Sequence, residues 1–362
     1  MIRFSRSLSV VIALVAAGVA NARDEDASAL DDLDFPGNGG YAIQLDNDLF
    51  SGAHRDQDYS WGGGVTYSSP RPGPLLAPLH RSRAFFDSWL APDEYARNGW
   101  APEQQATQIA ILAMTPQSLK SDAPLYKDRP FASLAFVTSS EIRVLDDGER
   151  ARFSSFTFGM LGLHGAEVIQ RGVHALVGDE RPRGWEHQIS AGGEPTARYV
   201  EAQQWLLNDS LADRSGLPEV KLTVAGSAGF ITEGSVAVSA RWGRLQSPWW
   251  SFAPELGDYT SAPLAPVTSI SSYNPAEVFV FAGFRLKARA YNALLQGQFR
   301  HSDVSVQGDD LAHTQAEAWV GLASTWSDLR VTYTLHYAST EMTSEPGRRG
   351  LIWAGINFER TL

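Results

Sequence analysis

Apolar and polar residues alternate along several stretches of this chain, with the period of two that β-strands require. Between residues 329 and 337 the alternation is unbroken, and between residues 278 and 289 it places Arg285, Lys287 and Arg289 opposite an apolar face. Such a strand fits a membrane barrel, whose apolar face meets lipid, or a soluble sandwich, whose apolar face meets a core. The three basic residues are interpreted as charges of a polar interior, with phosphate binding as the less favoured alternative.

The alternating segments predict twelve strands, and most are longer than the ~5–6 residues usual in soluble sheets. Their length favours a barrel, and the number is even, as bacterial outer-membrane barrels require. We therefore predict an all-β protein, a transmembrane antiparallel β-barrel with a short helix in an outer loop. Residues 291–299 are interpreted as loop. The predicted strands cover residues 40–48, 60–68, 106–114, 131–143, 151–162, 197–207, 219–231, 234–243, 278–289, 315–326, 329–338 and 351–358.

The N-terminus has the features of an export signal. Arg3 and Arg6 precede an apolar run, and a small-residue cleavage motif ends at Ala22. The apolar run is shorter than the ~20 residues that span a bilayer, so a cleaved signal is favoured over a membrane anchor. The predicted organisation is a signal peptide at 1–22, a flexible acidic segment at 23–39 and an outer-membrane barrel at 40–362.

Composition excludes several other classes of protein. The chain has no cysteine, which excludes a disulfide framework and thiolate metal sites. Its formal net charge is −11, without a concentrated basic stripe, which argues against a nucleic-acid partner. Aromatic residues near strand ends suggest a girdle at the membrane interface; they include Trp242, Trp326, Tyr337 and Trp353. The partner we expect is the outer membrane, with the chain as a monomer.

Two of the predicted inward connections are unusually long for a barrel of this kind. They are residues 69–105 and 244–277. The first is rich in proline and includes a possible short helix around residues 82–90.

Strand topology brings chemically useful residues to one end of the predicted barrel. With both termini in the periplasm, Asn47 and Asp48 end the first strand at the outer rim, and Ser60 begins the second strand there. Lys120 lies in the next outer loop and His174 in the one after it. Taken singly, each has an ordinary explanation: a turn, a strand start, a solvated lysine or a structural histidine. Together they predict a site at the outer rim.

The outer loop that contains His174 has the pattern of an amphipathic helix. Residues Gly165–Gly178 include an apolar stripe that begins at Ile169 and end at a glycine suited to a helix C-terminus. Gln170 and His174 are four residues apart and therefore share an adjacent polar face. We predict that the apolar stripe docks on the barrel mouth and that His174 faces a cleft. Trp185, beyond the helix, is predicted to lie at the membrane interface and to bind substrate together with Gln170.

Five short motifs, in order and at similar spacing, resemble those of the outer-membrane lipid A 3′-O-deacylase family. Their order along most of the chain is more specific than any one of them. The motifs are Leu45-Asp46-Asn47-Asp48, Asp58-Tyr59-Ser60-Trp61-Gly62, Asp128-Arg129-Pro130-Phe131-Ala132, Gln170-Arg171-Gly172-Val173-His174 and Gly184-Trp185-Glu186-His187-Gln188.

The resemblance implies a twelve-stranded barrel that acts as a calcium-dependent esterase on lipid A in lipopolysaccharide. It implies that His174 is catalytic, that Asn47 and Asp48 match the family's pair at the end of the first strand, and that Lys120 matches its loop lysine. Ser60 stands where the family has threonine, which keeps the hydroxyl but loses a methyl. Two alternatives stay open: a passive barrel, such as a small porin or an adhesin, and a serine-dependent barrel phospholipase.

The chemistry can also be argued from the residue types. The chain has no Gly-x-Ser-x-Gly motif, so a serine elbow is not expected. Because imidazole titrates near neutral pH, His174 is the candidate general base on water. A calcium ion held by oxygen atoms of Asp48 and Asn47 would polarise the ester carbonyl. Lys120 could stabilise the oxyanion or bind a phosphate of lipid A.

Overall fold

The structure, a computed structural model, describes the chain as one closed barrel. It covers residues 39–52, 57–69, 76–90, 100–145, 148–177, 182–208, 217–259 and 276–361. The predicted signal peptide and nearly all of the predicted acidic segment lie outside these residues. Within the described part of the chain, no helix is long and apolar enough to cross a bilayer.

Twelve antiparallel strands close the barrel, in sequence order around its wall, and β1 pairs with β12. All twelve predicted strands are confirmed, with ends within a few residues of the prediction except at the start of β3. Gly40 lies opposite Thr361, so both termini of the barrel lie at one end, called here the terminal rim; the other end is the distal rim. The strands are β1 Gly40–Asn47, β2 Asp58–Ser69, β3 Trp100–Thr115, β4 Ala132–Leu145, β5 Arg150–Leu161, β6 Glu194–Asn208, β7 Glu219–Gly229, β8 Ile231–Arg244, β9 Glu277–Asn292, β10 Thr314–Trp326, β11 Leu329–Ala338 and β12 Leu351–Thr361.

Three helices of four residues or more accompany the described strands. The first, α1, spans Ala77–Leu90 in the connection between β2 and β3, where the sequence predicts a helix from residue 82. The second, α2, spans Gly165–Val177 between β5 and β6, as predicted. The third, α3, is a single turn at Ala293–Gln296 directly after β9. Residues 293–299 therefore contain no strand, and the interpretation of this segment as loop is confirmed apart from the last residues of β9.

The outward face of the wall is apolar, as the alternation predicts. Residues such as Val236, Val280 and Leu322 are about half exposed. Trp242, Trp326 and Tyr337 are also more than half exposed, consistent with a girdle. The prediction is wrong for Trp353, which is 2% exposed. It faces the lumen, where its ring stacks on His336 with centroids 4.8 Å apart.

A segment that follows β8 fills the lumen. It comprises the described residues 245–259, from one of the two long connections. Near the terminal rim, the Trp249 indole N–H donates to the Gly148 carbonyl over 2.6 Å. At the other end of the segment, the Tyr259 hydroxyl donates to Glu341, which lies in the loop between β11 and β12, over 3.0 Å. The segment therefore traverses the barrel from one rim to the other, and we call it the plug.

Ion pairs hold the plug and the inner wall together. Lys221 contacts Glu255 of the plug at 2.8 Å, and both side chains are buried. Arg285 and Lys287 both contact Glu317, at 2.6 and 2.5 Å. The basic face of β9 is thus a set of lumenal charges, as the favoured interpretation holds, but the charges are buried and paired with carboxylates.

Candidate functional site

The predicted site residues lie at the distal rim, and several of them are on the outward side of the wall. In β3, Ala113 and Thr115 share a face with Ile109, whose side chain is 59% exposed on the outside of the barrel. In β2, Trp61 shares a face with Val65, which is 50% exposed. Because Trp61 lies opposite Ala113, the outward side of β2 and β3 forms one continuous surface up to the rim.

A β-bulge turns Ser60 toward this outward surface. The register between β2 and β3 shifts between Tyr59 and Trp61, so Ser60 has no residue directly opposite. The bulge sends Tyr59 into the lumen, where its hydroxyl donates to Asp46 over 3.0 Å. Ser60 instead contacts the hydroxyl of Thr115 at 2.5 Å, with both residues buried. Bulges commonly re-aim a side chain in this way beside functional sites.

Two arginines hold Asp58, which lies just before the bulge. Asp58 has a φ of 66°, a left-handed conformation that is uncommon for residues other than glycine. Its carboxylate accepts from Arg129 Nε over 3.3 Å and from Arg349 Nε over 3.0 Å. Arg349 also donates to Asp128 over 2.5 Å. These contacts join three segments of the distal rim, and we call Asp58, Asp128, Arg129 and Arg349 the rim clamp.

The rim clamp continues into the lumen through Glu341. Arg129 and Arg289 both pair with this carboxylate. Burial raises the pKa of Glu341, but the two arginines outweigh burial and bring it to about 2. The side chain is therefore ionised at neutral pH. Neither Arg129 nor Arg349 is predicted as a positioning residue by the sequence, although the Asp128-Arg129 motif is a signal for the first of them.

Helix α2 packs on the outward surface with its polar face inward. Ala166, Gln170 and His174 recur at every fourth residue and are all buried, whereas Ile169 and Val173 are 43% and 40% exposed. The prediction that the apolar stripe docks on the barrel is therefore wrong for these residues. The surroundings explain the reversal, since a helix on the outer wall of a membrane barrel presents its apolar side to lipid.

Trp185 fixes this arrangement. It is 1% exposed and packs with Ala113, Phe131 and Ala166, and its ring centroid lies 4.9 Å from that of Phe131. Its indole N–H donates to Gln170 Oε1 over 2.9 Å. The prediction of an aromatic at the membrane interface is therefore wrong for Trp185, which lies between α2 and the wall.

Gly184 explains why the Trp185 motif begins with glycine. Its φ is 87°, and a Cβ atom there would meet the Ser121 carbonyl oxygen at 2.7 Å. The adjoining Arg183 N–H donates to the carbonyl of Leu119, and Leu119 packs against the Trp185 cluster. Lys120 follows Leu119 directly and is exposed. Lys120 therefore lies outside the buried cluster, next to a residue that packs against it.

Asn47 and Asp48 lie where β1 ends, and both accept backbone hydrogen bonds. Asn47, opposite Trp61, accepts from the Leu49 N–H over 2.7 Å. Asp48 is 1% exposed and accepts from the Gln57 N–H over 2.7 Å. Their oxygens are of the type calcium prefers, which takes 6–8 such ligands. Among the described residues, no group of three or more His, Asp or Glu side chains could hold a metal ion. The donors fit calcium in kind, and backbone carbonyls, water or substrate would have to supply the rest.

Comparison with known proteins identifies the family. The family model described as "Outer membrane protein LpxR" matches residues 8–362, nearly the whole chain. The chain belongs to the LpxR family of outer-membrane proteins. The predicted family and the transmembrane β-barrel fold are thereby confirmed.

One solved structure agrees with this assignment at the level of fold, and a second serves for comparison only. LpxR from Salmonella typhimurium superposes with a TM-score of 0.67 at 15% identity, over 89% of this chain and 100% of that chain. The COG4313 outer-membrane channel from Pseudomonas putida F1 reaches a TM-score of 0.41 at 8% identity, over 91% of this chain and 97% of that chain. Curated protein sequences give no match.

Proposed function

We propose that this LpxR-family protein is an esterase that removes the 3′-O-linked acyl chain of lipid A at the extracellular rim of the outer membrane. The observation that carries the proposal is the buried polar face of α2. It turns Gln170 and His174 toward the membrane-facing wall, and the Ser60–Thr115 hydroxyl pair lies on the same outward side at the same rim. A lipid substrate reaches such a site from the bilayer, and the distal rim is extracellular if both termini are periplasmic.

His174 acts as the general base in this proposal. A neutral imidazole takes a proton from water as the water attacks the ester carbonyl, and returns it to the leaving alkoxide. Gln170, one helical turn away, holds α2 in place through Trp185. Lys120 is exposed at the rim, where its ammonium group can meet a phosphate or the developing oxyanion.

Calcium is the proposed cofactor, held in part by Asn47 and Asp48. Bound there, it would polarise the ester carbonyl as a Lewis acid. Asx-type hydrogen bonds already orient the Asn47 oxygen toward the Leu49 N–H, and the Gln57 N–H orients the Asp48 carboxylate. A ligand whose oxygens are held in place in the protein alone loses less entropy when the metal binds.

The two alternative functions receive less support. For a serine-dependent phospholipase, Ser60 would need a base, but the side chain at 2.5 Å from it is the hydroxyl of Thr115, which is not one. For a passive porin, the lumen would need an aqueous channel, but the plug crosses the lumen and is tied to the wall by Lys221 and Arg285.

Mass spectrometry of lipid A from cells with and without the protein tests the proposal. The wild type should convert lipid A to a form that lacks its 3′-O-linked chain, and His174→Ala should not. His164→Ala is the matched control, since His164 lies just before α2 and its side chain is 63% exposed. Heat-modifiable gel mobility checks that each variant folds. Deacylation by folded His174→Ala at the wild-type rate would contradict the proposed base.

A further inference from the structure

Helix α1 lies on the outward side of the wall near the terminal rim. His80 Nδ1 is 2.7 Å from the Ser139 hydroxyl in β4, and its Nε2 is 3.3 Å from the Thr107 hydroxyl in β3. Thr107 shares its face with Ile109, which is exposed on the outside of the barrel. The helix therefore covers the wall from the membrane side, although the sequence places it in a periplasmic connection.

The polar face of α1 covers polar side chains on the outward side of the wall and pairs with them. Arg83 pairs with Glu141 of β4 at 2.9 Å and donates to Ser154 of β5 over 3.1 Å. Asp87 accepts from the Tyr199 hydroxyl of β6 over 2.6 Å. All five side chains are buried. A charged group on the lipid face of a barrel costs up to ~2–4 kcal/mol, depending on depth, so the helix makes this part of the wall compatible with lipid.

The opposite side of α1 is apolar and continues the lipid-facing wall. Phe85 and Trp89 are 63% and 70% exposed. Phe86, which lies between them in the sequence, stacks on Phe156 of β5 with ring centroids 5.5 Å apart. Phe156 in turn shares a face with Phe158, which is 47% exposed on the outer wall. An unbroken apolar surface thus runs from the wall of the barrel onto the helix.

The exposed part of α1 is also divided between apolar and polar edges. At 100° per residue, Phe85 and Trp89 are about 40° apart, Ser88 is about 60° from Phe85 and about 100° from Trp89, and Arg81 lies between Phe85 and Ser88. Arg81 and Ser88 are exposed. This division matches a helix that lies along a membrane surface, with aromatic residues in the acyl boundary and a basic residue near lipid phosphates.

We propose that α1 is a membrane-interface helix whose Phe85 and Trp89 insert into the phospholipid leaflet at the terminal rim. The occupant is lipid because the apolar surface of the helix is continuous with the lipid-facing wall of an outer-membrane barrel. Tryptophan and phenylalanine are common in such contacts, since their rings suit the boundary between headgroups and chains. The inference does not depend on the proposed enzymatic activity.

The absence of cysteine from the chain allows a direct test with single-cysteine variants. Phe85→Cys and Trp89→Cys would each carry an environment-sensitive fluorophore, in full-length protein folded into vesicles of phosphatidylcholine and phosphatidylglycerol. Ser88→Cys is the matched control on the polar edge of the same helix, and Ile109→Cys is the reference for a lipid-facing position. All four side chains are exposed, so the substitutions remove no buried contact.

Lipids with a nitroxide on the acyl chain should quench the fluorophore at positions 85 and 89 about as strongly as at 109, and about twofold more than at 88. Aqueous iodide should give the reverse order. The proposal is overturned if positions 85 and 89 are quenched by iodide more strongly than position 109, and by the nitroxide lipids no more strongly than position 88, because the helix would then face water.

Discussion

The hydrogen bond between Trp185 and Gln170 should determine whether α2 stays docked on the barrel wall. The donor and acceptor are 2.9 Å apart, and the two residues are 1% and 2% exposed. Gln170→Leu leaves the indole N–H buried without this acceptor, and Trp185→Phe leaves the amide oxygen without this donor. Each unsatisfied group costs about 1–3 kcal/mol. If that cost falls on docking, the docked population of α2 relative to the undocked one drops by roughly 5- to 150-fold in each variant.

The double variant separates positioning from direct contact with substrate. Gln170→Leu with Trp185→Phe removes both polar partners, which can be nearly neutral when shape is preserved. If Gln170 acts through Trp185, the double variant should recover most of the lost activity and show a coupling energy of about 1 kcal/mol or more. If Gln170 itself contacts the substrate, the double variant should be no better than Gln170→Leu.

Hydrogen exchange of the α2 amides provides a readout that does not depend on turnover. Both single variants should exchange faster than the wild type across Gly165–Val177, and the double variant should return toward the wild-type rate. The amides of β3 serve as the internal reference, since the barrel itself is unchanged. Unaltered exchange in both single variants would refute the idea that this hydrogen bond holds the helix.

Three further predictions concern the distal rim. Ser60→Ala should slow deacylation by about one to two decades, or ~1.4–2.8 kcal/mol, because the hydroxyl pair with Thr115 is lost. Ser60→Thr keeps the hydroxyl and should retain activity. An acyl-enzyme trapped in the wild type would instead make Ser60 the nucleophile. Chelation should stop turnover and calcium should restore it, with weaker calcium binding in Asn47→Ala; full activity in excess chelator would exclude the metal. Glu341→Gln should lower the free energy of unfolding by up to about 3 kcal/mol at neutral pH. Since the pKa of Glu341 is lowered from 4.5 to about 2, the difference from wild type should shrink as pH falls between those values, and a constant difference would show that the charge is not responsible.

The strands of the barrel could be predicted from the sequence because their signal is local. Residues two positions apart lie on the same face of a strand, so a short segment already shows which side chains face lipid and which face the lumen. Counting twelve such alternating segments gives the number of strands. The plug could not be predicted in this way. Its Trp249, Glu255 and Tyr259 each contact residues at least 30 positions away, so nothing within the segment shows that it enters the lumen.

The sequence predicts which residues lie at the rim, but it does not predict which way their side chains face. Topology places Asn47, Ser60 and His174 at one rim without knowledge of any contact. The direction of Ser60 depends on a bulge, and one extra residue in a strand reverses the face of every side chain that precedes it. That bulge is held by Arg349, whose position 291 residues from Asp58 leaves no local signal in the sequence.

The error at α2 has a general physical cause. A hydrophobic stripe predicts the buried side of a helix only when the other side meets water. On the outer wall of a membrane barrel the medium is lipid, so the exposed residues are Ile169 and Val173 and the buried ones are Gln170 and His174. Helix α1 follows the same rule, with Arg83 buried and Trp89 exposed. Once a chain is recognised as a membrane barrel, the polar face of each loop helix is therefore the first place to look for chemistry.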